Sequence, residues 1–242
     1  MPSPKTVVFL GASGGVGLSA LKHTLAAGHQ CIAICRTPSK LTDIIPLSTT
    51  PNLRVVEGNA HDLKVLVSVL RKEDGTLVDE IISTIGARPD LLKLSIDDPK
   101  VCRKGMATML EALEQLRRDG ATGRPLIVVC STTGMSKFGR DTPLLVVPLY
   151  SVLLKVPHED KGIMEQALAE SGEDFCIVRC SLLVNGETDT PIRVGIEDPK
   201  TGRESDAIGY TISREDAGKW FADNLIVNRE SKYVNKIATI TY

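Results

Sequence analysis

Residues 6–17 constrain this chain more than any other stretch. An apolar, β-branched run, Thr6-Val7-Val8-Phe9-Leu10, passes without a linker into Gly11-Ala12-Ser13-Gly14-Gly15-Val16-Gly17, and a helical pattern starts at once. In a strand, glycine loop and helix joined in this way, the free N–H groups and the positive dipole end of the helix point out of the loop, where a phosphate can sit. Glycines at 11, 14 and 17 let the backbone turn tightly, approach such a group and pack the helix on the strand. The spacing differs by one residue from Gly-x-Gly-x-x-Gly. Gly17 is followed by Leu18-Ser19, not by the Lys-Ser/Thr that a nucleoside-triphosphate loop requires. The loop reads as the pyrophosphate site of a dinucleotide, held by Gly11, Ser13, Gly14, Gly15, Val16 and Gly17.

The rest of the chain repeats the alternation. Short β-branched runs predict strands over 6–10, 30–35, 53–57, 80–84, 125–130 and 175–179, and apolar residues at helical spacing predict helices over 14–27, 62–70, 99–118, 159–170 and 214–228. Asp62 is a natural N-cap, and Ser213 with Asp216 forms a variant capping box. Apolar strands alternating with helices belong to a parallel sheet covered on both faces. The expected fold class is therefore α/β, a doubly wound parallel sheet of the Rossmann type, in one domain over 1–242. After Arg179 the alternation breaks down. Residues 181–212 are rich in Gly, Pro, Asp and Arg, with weak strand patterns at 192–196 and 207–212, and read as an irregular substrate-side elaboration. The other substrate-side stretch is 134–160.

Charge narrows the partners. With 29 Lys and Arg against 30 Asp and Glu and no basic stripe, neither nucleic acid nor an acidic membrane is expected, and a small molecule is. The longest apolar stretch, 144–156, contains Pro148, Tyr150, Ser151 and Lys155 and falls short of the ~20 residues of a membrane span. No signal-peptide pattern precedes the first strand, so a cytoplasmic monomer or homodimer is the expectation. Six Cys without metal spacing place Cys31 with Cys35 and Cys176 with Cys180 on shared strand faces, as packing residues; no metal is expected. His23 and His29, on or after the first helix, are expected at the surface, Trp220 and Phe221 in the core, and Arg117-Arg118 on a solvated helix end.

The end of the second strand carries the group that reads the adenosine ribose. Here it is Cys35-Arg36-Thr37-Pro38-Ser39-Lys40, with no carboxylate before Asp43. A carboxylate would hold a free 2′-hydroxyl, whereas an Arg fork accommodates a 2′-phosphate. Arg36 predicts NADP(H) over NAD(H).

With these residues in view, the chain resembles atypical short-chain dehydrogenases over nearly its whole length, especially the NmrA-like NAD(P)H-binding group and the biliverdin/flavin reductases. Val56-Glu57-Gly58-Asn59-Ala60-His61-Asp62 is similar to that family's turn over the adenine, with Asn59 in place of its first acid. Thr84, Ile85 and Gly86 fall in its fourth-strand loop. Ser131, Thr132 and Thr133 fall where its active-site Ser or Thr lies. The resemblance implies that Lys161 holds the nicotinamide ribose and that Ser181, Leu182 and Leu183 border the ring, with Cys180 in place of the usual Pro. One departure matters: four residues before Lys161 stands Pro157, not the Tyr of Tyr-x-x-x-Lys. Tyr150 or His158 could replace that proton donor if 144–156 folds over the ring. The resulting expectation is an NADPH-dependent oxidoreductase delivering hydride to a small, largely apolar or aromatic substrate. A non-catalytic NADP(H)-binding redox sensor or regulator, and an isomerase or cyclase using the cofactor pocket as a scaffold, stay open.

Overall fold

The computed structural model describes residues 3–87, 89–90, 95–146 and 154–242. Its strands are Thr6–Leu10 (β1), Gln30–Cys35 (β2), Leu53–Glu57 (β3), Glu80–Ser83 (β4), a two-residue ladder of Pro89–Asp90 (β5) with Ser95–Ile96 (β6), Leu126–Thr132 (β7), Asp174–Cys180 (β8), Leu182–Val184 (β9), Arg193–Asp198 (β10), Gly202–Ser205 (β11), Thr211–Ser213 (β12) and Lys236–Thr241 (β13). The helices are Gly15–Ala26 (α1), Ser39–Thr42 (α2), Leu63–Val69 (α3), Val101–Arg118 (α4), Lys155–Glu170 (α5) and Arg214–Phe221 (α6). A nine-stranded sheet runs in the order β11-β10-β13-β8-β7-β4-β1-β2-β3. From β13 to β3 every pairing is parallel, and β10 and β11 close one edge antiparallel.

The two-residue period of the strands sorts the core. Val7 and Phe9 face one way, into a cluster with Val16 and Leu21 of α1 and Trp220 and Phe221 of α6. Val8 and Leu10 face the other, against Leu66 of α3, Met106 and Met109 of α4 and Leu168 of α5. Trp220 and Phe221 are core residues as expected, and Cys31, Cys35, Cys176 and Cys180 share the first face. This doubly wound α/β sheet is the predicted fold class.

Several details differ. His29 is buried, not exposed: its Nδ1 accepts the Lys5 N–H at 3.1 Å, and burial, with the Lys5 charge, lowers its pKa. Helix α5 begins at Lys155, four residues before the expected 159, because Pro157 falls in its first turn, where a missing N–H costs no intrahelical bond. Beyond α6 the chain continues as a π-helical turn over Ala222–Val227. The stretch after Arg179 is more ordered than its composition implies. β10 and β11 join the main sheet, and β9 pairs in parallel with β12. The link is β13, not anticipated from sequence, which inserts between β8 and β10.

A buried ionic cluster locks this region. The Arg179 guanidinium reaches Glu165 of α5 at 2.7 Å and Glu197 of β10 at 3.1 Å, with all three side chains less than one-tenth exposed. Paired this closely, the charges compensate a desolvation cost that none could bear alone.

Candidate active site

After β1 the chain moves outward to β2 on one side, and β4 lies against the other side of β1. Crevices at such switch points, outside the carboxyl ends of the strands, are where open α/β sheets bind ligands. The glycine loop is here. A Cβ on Gly17 would fall 2.3 Å from the Thr84 Oγ1 and 2.6 Å from the Gly11 carbonyl oxygen, so α1 can close on β4 only with glycine at this position. Gly14 is different: a Cβ there meets nothing within 4 Å, because the residue opens on the crevice. No acidic residue stands in the first turn of α1 to oppose an anion.

A groove of about 540 Å³ runs from Arg36 at the end of β2, past Asn59, Ala60 and His61, to the loop and Thr84–Ala87. It continues into a pocket of about 260 Å³ lined by Pro157, Lys161, Leu183, Cys102 and Cys130, and the two share Gly14, Gly15, Thr84, Ile85, Gly86 and Arg214. The proportions suit an extended dinucleotide lying between Arg36 and Lys161. At the Arg36 end His61 Nε2 lies 3.0 Å from the Val101 carbonyl oxygen, tying the β3 turn to α4. Arg36 is exposed, and among the described residues no carboxylate pairs with it.

At the other end the Lys161 ammonium donates to the Cys130 carbonyl at 3.1 Å. Its neighbour Asp160 does not neutralise it, because that buried carboxylate accepts the Cys102 and Arg103 N–H groups at 2.8 and 3.0 Å and the Arg103 Nε at 3.0 Å, closing the first turn of α4. Cys130 and Cys180 approach to 3.9 Å between sulfurs. The hydrogen bond between the two thiols pulls the Cys130 pKa below its usual value against the effect of burial, and the Lys161 and Arg214 charges add to it.

The remaining expected residues divide. Thr84, Ile85, Gly86 and Leu183 line the site, with the Thr84 hydroxyl donating to the Leu10 and Gly11 carbonyls. Ser131 does not line the Lys161 pocket: its buried hydroxyl donates to Glu165 at 2.5 Å, inside the ionic cluster. Thr132, paired with Cys180 at the end of β7, and Thr133, buried beside it, lie outside the pocket lining. The Ser181 hydroxyl turns inward to Thr241 at 2.9 Å, and Leu182 points to solvent. His158 follows Pro157 on α5 and is half-buried, and burial, reinforced by the Lys161 and Arg179 charges and opposed by Asp141, lowers its pKa. Tyr150 lies outside the described residues. Sequence reasoning missed Arg214. The Ser213 N-cap announces that a helix starts there, but nothing local says where that helix end lands.

Residues 11–226 match the NAD(P)H-binding family. The chain belongs to that family. It has curated relatives across its whole length. It is 37% identical to the reductase pytE of Aspergillus terreus and 32% identical to the oxidase pynE of Aspergillus niger, each match covering 99% of both chains. Among solved structures, a wide-type short-chain dehydrogenase/reductase from Veillonella parvula, in complex with NADP, matches with a TM-score of 0.73 at 17% identity, over 99% of this chain and 95% of that one. The anaerobillin reductase ChuY from Escherichia coli matches with a TM-score of 0.63 at 17% identity, over 97% and 96%. The glycine loop, the groove and the family agree on a nicotinamide cofactor. No helix among the described residues is long and apolar enough to cross a membrane.

Proposed function

We propose that the protein is an NADPH-dependent oxidoreductase acting on a small, largely apolar or aromatic substrate. The observation that supports this best is the continuity of the groove: an exposed Arg at one end, an open glycine loop at its middle, and a pocket of mixed polar and apolar lining with Lys161 at its far end. Arg36 receives the 2′-phosphate, the α1 N-terminus and Gly14 receive the pyrophosphate, and Lys161 holds the nicotinamide ribose hydroxyls. The bound nicotinamide supplies hydride at its C4. Val16, Ile85, Pro157 and Leu183 supply the apolar part of the lining at that end, which favours a substrate with an apolar face.

Pro157 stands one helical turn before Lys161 and borders the pocket, so the position that carries Tyr in related enzymes has no hydroxyl here. Ser131 and Thr84 are committed to other partners. The reading that follows is a reductase whose proton comes from water, with Tyr150 and His158 as the side chains to exclude. Tyr150→Phe and His158→Ala should each cost less than about tenfold in turnover, against the roughly 10²–10⁴-fold that a true general acid contributes. Six free, buried thiols suit a reducing, cytoplasmic setting, as monomer or homodimer.

The test is NADPH oxidation with quinones, flavins and aromatic ketones as acceptors, alongside NADPH binding. Turnover with any acceptor class supports the reading. Pro in place of Tyr at position 157 also favours a regulator that binds NADP(H) without turnover, and tight NADPH binding with no oxidation by any acceptor would replace the enzyme with that regulator.

A further inference from the structure

The glycine loop offers a dinucleotide backbone N–H groups, the Ser13 hydroxyl and a helix end, but no charged side chain. Two phosphates bring two negative charges to it, and α1 contributes no cation to its own first turn. A cation does reach the loop from the far end of the chain. Arg214, the first residue of α6, borders both the adenosine-side groove and the nicotinamide-side pocket, and a Cβ on Gly15 would lie 3.3 Å from its Cδ.

The placement is built, not incidental. One helical turn later, Gly218 faces α1 so closely that a Cβ on it would stand 2.4 Å from the Ser19 Cβ and 2.5 Å from the Val16 carbonyl oxygen. The Ser19 hydroxyl donates to the Glu215 carbonyl at 2.6 Å across the same contact. Residues four apart share a helix face, so the contact that seats Gly218 on α1 carries Arg214 over the loop. Its Nη1 donates to the Asn185 Oδ1 at 2.7 Å, which steadies the planar fork, and among the described residues no carboxylate takes its charge. The adjacent loop is pinned by the next two residues of the same turn, Glu215 accepting the Gly186 N–H and Asp216 accepting the Thr188 N–H and hydroxyl.

We infer that Arg214 is a cofactor-binding residue whose guanidinium takes the nicotinamide-side phosphate of the dinucleotide, supplying from α6 the positive charge that the loop lacks. A planar guanidinium suits a phosphate's paired oxygens, as an ammonium does not. The assignment rests on the dinucleotide reading above. It divides the labour between two arginines: Arg36 senses whether a 2′-phosphate is present, and Arg214 holds a group common to NADPH and NADH.

The experiment measures dissociation constants for NADPH, NADH and adenosine 2′,5′-bisphosphate in the parent protein, Arg214→Ala, Arg214→Lys and Asn185→Ala. Arg214→Ala should weaken NADPH and NADH by the same factor, about 10- to 100-fold, while adenosine 2′,5′-bisphosphate, which has no nicotinamide-side phosphate, shifts by less than about twofold. Arg214→Lys should recover part of the loss, raising the ionic strength should shrink the gap between parent and Ala variant, and Asn185→Ala, which leaves α6 untouched, should weaken both dinucleotides by a smaller factor. Equal weakening of all three ligands by Arg214→Ala, or dinucleotide affinities unchanged in both the Arg214 and Asn185 variants, would overturn the assignment while leaving NADPH binding by the parent intact. A parent that binds neither dinucleotide would overturn the cofactor reading itself, and this assignment with it.

Discussion

The amino-terminal half of the site and the region beyond Arg179 are held together by different means. Around β1, β2 and β4 each site residue is placed by its own segment: a strand ends, a glycine loop turns, a helix starts, and the pocket wall follows within a few residues. Beyond Arg179 the placing partners are remote. Arg179 is fixed by Glu165 and Glu197, the β10–β11 pair by β13, and Asp216 by Thr188 and by the Tyr242 hydroxyl, which in turn accepts the Ser213 N–H at 3.0 Å. A half built from local rules tolerates few changes in its motif, whereas a half built from remote pairs fails wherever one partner is removed.

The largest expected effect tests the remote pairs. Arg179→Leu strands two buried carboxylates and should cost about 3–5 kcal/mol of stability by denaturant unfolding, and adding Glu165→Gln and Glu197→Gln should return much of it. An unchanged midpoint in the single variant would break the contrast. The glycine loop then separates two roles inside the local half. Gly17→Val drives a side chain into Thr84 and the Gly11 carbonyl and should destabilise by at least about 3 kcal/mol, because the neighbour is backbone and cannot yield. Gly14→Val, placed in open crevice, should keep the parental melting temperature and lose dinucleotide binding. If Gly14→Val binds NADPH as the parent does, the loop is only a turn.

A smaller change sharpens cofactor choice. Arg36→Ala should weaken NADPH by about 1.5–3 kcal/mol, tenfold to a hundredfold, and leave NADH nearly unaffected; equal parental affinities for the two cofactors would remove Arg36 from the site. The smallest effect concerns Glu80, a remote pair hidden in the local half. Its carboxylate accepts from Lys5 at 2.9 Å, yet burial outweighs that ammonium and raises its pKa from 4.5 to about 7. The folded state thus holds this proton more firmly than the unfolded chain does. Glu80's contribution to stability is present below pH 4.5 and is lost as pH rises toward 7. Glu80→Gln should flatten the stability profile across that window, and an unaltered slope would show that Lys5 fully compensates the burial.

What could be read in advance follows the same division. Strands β1, β2 and β3 fall where β-branched runs stand between turn residues, and the Asp62 cap accepts the Lys64 N–H at 2.9 Å because capping is a matter of neighbouring residues. Arg36 could be placed because it sits a fixed distance beyond the glycines along one βαβ unit. Arg214 could not, since its position depends on Gly218 meeting α1, a contact between segments two hundred residues apart with no local signature. Ser131 shows the opposite limit. Its place at the end of β7 predicts a hydroxyl facing the cofactor, but whether it does so depends on Glu165, 34 residues later on α5, offering a buried acceptor. The strand pattern of Lys-Ile-Ala-Thr-Ile-Thr over β13 was available in the sequence, and what concealed it was its separation from the strands it joins.

That late strand sets an order of events during synthesis. Chains emerge amino-terminus first, and domains begin to fold as they do. The parallel strands from β1 to β8 can assemble on the ribosome with their helices, but β10 and β11 have no neighbour in the sheet until β13 leaves the exit tunnel and slots between β8 and β10. Until then the antiparallel pair is a free hairpin with open backbone on both sides, and Glu197 cannot reach Arg179. A chain in which β13 has not yet been placed would present a nearly complete parallel sheet with an unguarded β8 edge, the kind of edge on which a misplaced strand from another chain can pair.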